Sequence, residues 1–147
     1  MRDETEGRGW LFSSVVIESE GRILLVREAK AVARGQWNLP GGHLRADELP
    51  ADGARREAVE ETGVTVELTS LLGVYAEPSR VRYVYRAAPI AGAPAPGDEI
   101  LEVKWWEPTA IVATPDEQLV RAAQLRDIAE DVLADRGYSL SAVRERA

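Results

Sequence analysis

The chain has no cysteine, which excludes disulfides, thiolate metal sites and catalysis by a cysteine nucleophile. It has one histidine, His43, and a lone imidazole rarely ligates metal without a partner. No apolar run approaches the ~20 residues of a membrane-spanning helix. Basic residues are in deficit, 18 against 25 acidic, and the net charge of −7 argues against binding a nucleic acid polymer, which calls for a basic surface. The segment Met1 to Arg8 is charged rather than signal-like, so the expected location is cytoplasmic, with no membrane partner. What is present is ordinary for a soluble globular protein. The 147 residues are 45% hydrophobic and 29% charged, enough for one domain spanning 1–147 with a real core.

Trp10 to Glu18 is rich in β-formers and reads as a buried strand; Glu20-Gly21 turns it, and Arg22 to Arg27 returns as its hairpin partner. Residues 28 to 36 form a polar loop containing Lys30, Arg34 and Gly35. Trp37 to Pro40 is a short extended piece, since the residue before a proline is pushed away from helix. A helix is predicted from Pro50 to Thr62, with Gly63 past its end. Leu49 falls at its N-cap, where Ser or Thr would serve better, and Asp52 in the first turn offers partial compensation through the helix dipole. Strands are expected at Val64 to Ala76, Arg80 to Ala88 and Ile100 to Trp106, with 89–98 a loop by composition. Asp116 to Arg136 reads as a long amphipathic helix with Leu119, Ala122, Ala123, Ile128 and Leu133 among its apolar positions, and Ser141 to Ala147 as a frayed end. Strands mixed with two main helices make an α+β chain.

The chemistry concentrates in residues 42 to 64. Residues three and four apart share a helix face, so Glu57, Glu60 and Glu61 can converge. Three carboxylates on one short face repel each other, and a hard divalent cation removes that conflict, because Mg²⁺ prefers oxygen ligands and binds through carboxylates together with substrate phosphates. A solvated acidic face is the bland alternative. Gly41-Gly42 reads either as a turn after Pro40 or as backbone that lets a metal or phosphate approach closely. His43 beside phosphates would donate a hydrogen bond. Arg27, Lys30 and Arg34 precede this segment and are placed to meet a distal phosphate, Arg34 being taken as the substrate contact. Trp105, Trp106 and Tyr83 are candidates for stacking on a base, against a core role that is commoner for strand aromatics.

Gly42, Glu48, Arg56, Glu57, Glu60, Glu61, Gly63 and Val64 fall without a gap on the pattern G-x5-E-x7-R-E-U-x-E-E-x-G-U, where U is a bulky aliphatic. The segment thereby resembles the signature of the Nudix hydrolase family. Ala58 departs from it where a larger aliphatic is usual, and Arg45 and Asp47 depart near its start. The resemblance implies an α/β/α sandwich with a mixed central sheet, a helix carrying the signature and a long C-terminal helix. It implies that Glu57, Glu60 and Glu61, with the carbonyl of Gly41, hold Mg²⁺, for which Mn²⁺ substitutes, and that Glu48 and Arg56 form a supporting ion pair. Gly42 and His43 would face the substrate. Many members carry an acid six residues ahead of a tryptophan that completes the site or activates water; Glu99, ahead of Trp105, matches by that spacing, with Glu102 and Glu77 as rivals.

The implied reaction is attack of water on the diphosphate bridge of a nucleoside diphosphate linked to another group, in which the metal offsets phosphate charge and a carboxylate takes the proton. ADP-ribose, a dinucleoside polyphosphate and a nucleoside triphosphate are the candidate substrates. Pro78, fourteen residues after Val64, nearly matches a proline of the ADP-ribose-cleaving branch. The alternative is a non-catalytic nucleotide sensor on the same fold, which would lack metal carboxylates that are intact here. A homodimer is expected from the resemblance and from the apolar N-terminal hairpin.

Overall fold

Adjacent apolar residues Val15-Val16, Leu24-Leu25 and Val84-Tyr85 are all buried, although neighbours on a strand point to opposite faces. A sheet with such strands must be covered on both sides. The computed structural model describes residues 10–147, outside which the segment Met1 to Arg8 lies. Its strands are β1 (Leu11–Ser19), β2 (Arg22–Glu28), β3 (Trp37–Asn38), β4 (Gly41–His43), β5 (Thr65–Glu77), β6 (Arg80–Ala91) and β7 (Ile100–Trp106). The helices are α1 (Pro50–Thr62), α2 (Pro108–Ala113) and α3 (Ala122–Leu133). Val15, Leu24 and Tyr85 pack with Ala54 and Ala58 of α1 on one face. Val16, Leu25 and Val84 pack with Ile111 of α2 and Leu125 and Ile128 of α3 on the other.

The sheet is mixed. β1 runs parallel to β6, from Leu11↔Val81 to Ile17↔Ala87, while β6 is antiparallel to β5. The other edge of β1 is shared: Phe12 to Ser14 pair with β4, and Glu18 and Ser19 pair with β2, which then turns to β7 and β3. The expected α/β/α sandwich with a mixed sheet is what the chain forms. Most apolar residues of the β1–β2 hairpin, which prompted the dimer expectation, are buried within this chain, while Leu11 stays exposed.

Two expectations need correction. The helix expected from Asp116 begins only at Ala122: Asp116–Gln118 is a 3₁₀ turn, Leu119 is extended, and Arg121 has φ +46°. Leu119 lies at helical spacing from the apolar stripe, but the edge of β3 offers it backbone partners: Val120 donates to the Trp37 carbonyl at 2.9 Å, and Leu119 is buried there. The tail 141–147 is also tied down. Just before it Tyr138 exchanges two backbone hydrogen bonds with Leu71; within it Val143 packs against the core, and a Glu145 carboxylate oxygen accepts the Ala51 N–H at 2.9 Å. That N–H is in the first turn of α1, whose Leu49 N-cap has no side-chain acceptor, so a residue 94 positions away does the capping.

The helix that carries the acidic cluster therefore depends on the tail for its first turn. Glu145→Ala is expected to lower stability by about 1 kcal/mol, a fall of roughly 3 °C in Tm for a domain of this size. Thermal unfolding monitored by circular dichroism checks it, and an unchanged Tm would mean that water caps α1 as well as Glu145 does.

Candidate active site

α1 lies close to the sheet because its inward face is small: Ala51, Gly53, Ala54 and Ala58 are buried, and a Cβ on Gly53 would run into Leu44. Ala58, the departure from the signature, is fully buried on this face, where the close approach uses its small size. The helix stops at Gly63, whose φ of +73° suits glycine and whose N–H bonds to the Val59 carbonyl at 2.9 Å. Gly41 and Gly42 form strand β4 rather than a turn. A Cβ on Gly41 would meet Ser14, and one on Gly42 would stand 2.8 Å from the Glu57 carboxylate. Both glycines thus permit a close approach, one to β1 and one to the helix acids.

Between β4, the outer face of α1 and the loop joining β6 to β7 lies a cleft of about 830 Å³. Glu57, Glu60 and Glu61 line it, as do Gly41, Gly42, His43, Lys30, Arg45, Arg56, Asp98 and Glu99. Arg56 organises one wall. Its Nε and Nη2 donate to Glu48 at 2.6 and 2.8 Å, Nη1 donates to Glu57 at 2.9 Å and to Glu60 at 3.0 Å, and Nη2 also donates to the His43 carbonyl at 3.3 Å. The Arg56 bond is the first cause holding the Glu48 carboxyl below its usual range. Glu48 and Arg56 are thus in contact, as the ion pair implied by the signature requires.

Glu57 is buried, and burial raises its pKa against the pull of Arg56. Glu61 accepts the Gly41 N–H at 2.9 Å, yet burial first, then the Glu57 and Glu28 carboxylates, push it up to about 8. Glu57 and Glu60 are turned onto Arg56, so the three helix acids share a wall without converging; among the described residues no three acidic or histidine side chains stand arranged as a metal shell. The donor set nevertheless fits a hard divalent cation. It offers carboxylate oxygens, excess negative charge and acids destabilised by one another, and a cation would relieve that repulsion.

Glu99 lines the same cleft, whereas its rivals face elsewhere. Glu102 pairs with Arg27 at 3.7 Å, and Glu77 pairs with Arg121 at 3.1 Å and accepts from Gln124. Lys30 reaches the cleft, but Arg34 does not line it and donates to the Ala29 carbonyl of its own loop. The His43 ring lies 4.2 Å from that of Phe12. Trp105 and Tyr83 pack against the core on the α1 side and Trp106 against the core on the other, so all three serve packing. Pro78 sits in the β5–β6 turn and does not line the cleft. One residue was missed: Glu28, assigned to a loop, is the last residue of β2 and is buried, with Asn38 Nδ2 donating to it at 3.5 Å. Burial raises its pKa, and Lys30, Glu99 and Arg82 lie within electrostatic reach. Only the pairing of Glu28 with β7 and the approach of Asn38 reveal it, and neither is written in local spacing.

Comparison with known proteins points to one family. A sequence model described as the NUDIX domain matches residues 8–128. The chain is 39% identical over 115 residues to a MutT-like protein of Streptomyces ambofaciens, covering 77% of this chain and 68% of that one. It is 33% identical over 103 residues to the 8-oxo-dGDP phosphatase NUDT18 of Homo sapiens, covering 67% of this chain; it spans only 32% of that relative's length. Among solved structures, a NUDIX hydrolase from Nitrosomonas europaea matches with a TM-score of 0.74 at 29% identity, over 88% of this chain and 74% of that one.

The raised Glu61 carboxyl sets a pH dependence. In metal-free protein the folded state keeps this proton up to about 8, while the unfolded chain loses it near the ordinary carboxylate value. The unfolded state then binds fewer protons, so this group's contribution to stability falls as pH rises from about 5 to 8. Glu61→Gln removes the loss and still accepts the Gly41 N–H. In chelator, its stability advantage over the unaltered chain should grow across that window to the order of a few kcal/mol. Added Mg²⁺ should stabilise the unaltered chain more than the variant. Parallel stability–pH curves in urea would refute the burial of this charge.

Proposed function

The chain belongs to the Nudix hydrolase family, and on that premise we propose that it cleaves the diphosphate bridge of a nucleoside diphosphate linked to another group. The observation that carries this reading is the pairing of two poorly solvated acids, Glu57 and Glu61, on one wall of a cleft large enough for a nucleotide. We assign Glu57, Glu60 and Glu61, with the Gly41 carbonyl, to hold Mg²⁺, for which Mn²⁺ substitutes. When bound, such an ion offsets phosphate charge and lowers the pKa of water.

The other roles belong to the chain itself. Gly42 presents backbone without a side chain, leaving room for a phosphate beside Glu57. His43, on the cleft wall, is assigned a hydrogen bond to substrate. Glu48 and Arg56 hold the wall rather than touch substrate, since all five N–H donors of Arg56 are engaged. Glu99, arriving from a loop across the cleft, is assigned to position the attacking water and take its proton. Positioning and electrostatics dominate phosphoryl chemistry, and a rigid helix suits that task.

A panel of ADP-ribose, a dinucleoside polyphosphate, a nucleoside triphosphate and 8-oxo-dGDP, assayed for phosphate and nucleotide release with Mg²⁺ and with chelator, tests the reading. Metal-dependent turnover of at least one is expected. Glu60→Gln and Glu61→Gln should each lose about 10²-fold or more in rate with the fold intact, and Glu99→Gln should lower kcat more than it alters Mg²⁺ affinity. Folded protein that turns over nothing in the panel would make this a nucleotide-binding sensor instead.

A further inference from the structure

Three cations line the cleft, and two of them, Lys30 and Arg45, are each held by one exposed ion pair. Arg56 has no donor left. Arg45 is turned onto the helix acid Glu60 at 3.2 Å, whereas Lys30 holds the acid of the facing loop. Lys30 has three donors and, among the described residues, one ion pair, with Glu99 at 3.4 Å. Both side chains of that pair are more than half exposed, so the contact is weak and readily exchanged.

The backbone beneath the pair is better fixed than the pair itself. The Ala29 N–H donates to the Glu99 carbonyl at 3.0 Å, joining the end of β2 to the β6–β7 loop. That loop is fastened to the end of α1, where Ala95 and Gly97 donate to the Thr62 and Glu61 carbonyls at 2.9 and 3.1 Å. Gly97 lies so close to the Glu60 carbonyl that a side chain there would collide with it. Two side chains can therefore re-pair while the chain under them stays in place. A carboxylate oxygen engaged by an ammonium is not free to meet the attacking water. A diphosphate, with more charge and more acceptor oxygens than Glu99, is the stronger partner for Lys30.

We propose that Lys30 is the side chain that grips the substrate's phosphate, and that its pair with Glu99 is a latch which an arriving diphosphate opens, releasing Glu99 into the cleft as a free carboxylate. This rests on the diphosphate reading of the site, and it ties the availability of the base to occupancy by substrate. Neither Arg34 nor Arg27 lines the cleft: Arg34 donates to the Ala29 carbonyl of its own loop, and Arg27, on β2, donates to the Gly35 carbonyl and pairs with Glu102.

The test is calorimetric binding of inorganic pyrophosphate in Mg²⁺ to the full chain and to Lys30→Met, Glu99→Gln and the double variant. Lys30→Met should bind about tenfold or more weakly, with Lys30→Arg recovering much of the loss. Glu99→Gln should bind about two- to fivefold more tightly, because a competitor for Lys30 is gone. In the Lys30→Met background the Glu99→Gln gain should vanish. Equal gains in both backgrounds would mean simple charge repulsion and overturn the latch. So would unchanged affinity in Lys30→Met, or no binding by the unaltered chain at millimolar pyrophosphate. A chain that hydrolyses none of the panel yet gives this pattern loses the enzymatic reading and keeps the latch. Hydrolysis with unmoved Lys30→Met affinity loses the latch alone.

Discussion

Five N–H donors on one guanidinium hold together a stretch of chain whose charges would otherwise drive it apart. Arg56 meets Glu48, Glu57, Glu60 and the His43 carbonyl at once, joining α1 to β4 and to the loop between them. A planar fork with fixed donors can do this, and a flexible ammonium could not. Glu48 and Glu57 have side chains only about a tenth exposed, so the loss of Arg56 would strand both as poorly solvated charges. The acids that line the cleft can share one helix face because this residue stands among them.

Close packing does the rest of the positioning. The alanine-rich inner face of α1 brings the helix near β1, and glycines at 41 and 42 let β4 slip between β1 and the helix acids. The same contact removes water from Glu57 and Glu61 and raises both carboxyls. The two ends of α1 are finished by distant chain. Glu145 caps the first turn, and the β6–β7 loop takes up carbonyls of the last. The loop that carries Glu99 is thus anchored to the helix that carries Glu57, Glu60 and Glu61, so the facing acids are held in a common frame.

Beneath the site, on the sheet face away from α1, Arg82 is buried with neutral partners only: it donates to Ser14, Gln124 and Asn38 at 2.7, 3.2 and 3.1 Å. Burial pushes its pKa down to about 10, and Glu61 and Glu77 oppose that shift from a distance. Asn38 Oδ1 also accepts the Leu39 N–H, which leaves its amide nitrogen for Glu28. A fixed positive charge therefore stands within electrostatic reach of Glu28 and Glu61. It eases the acid repulsion from behind while leaving the cleft open in front.

The sequence by itself determined what local rules govern. α1 spans Pro50 to Thr62 and β7 spans Ile100 to Trp106, as expected, because proline, glycine and alternation act over a few residues. The Glu48, Arg56, Glu57, Glu60 and Glu61 constellation was legible because helical spacing places most of it on one turn or the next. The tertiary structure decided the rest. Leu119 left a helical pattern for the edge of β3, Glu145 became a cap for a helix far earlier in the chain, and Lys30 rather than Arg34 reached the cleft. It also put Glu99 on the cleft, but neither Glu102 nor Glu77, and buried Glu28 nearby. Each of these turns on which distant backbone or charge lies within reach once the sheet is assembled, and spacing along one chain does not encode that.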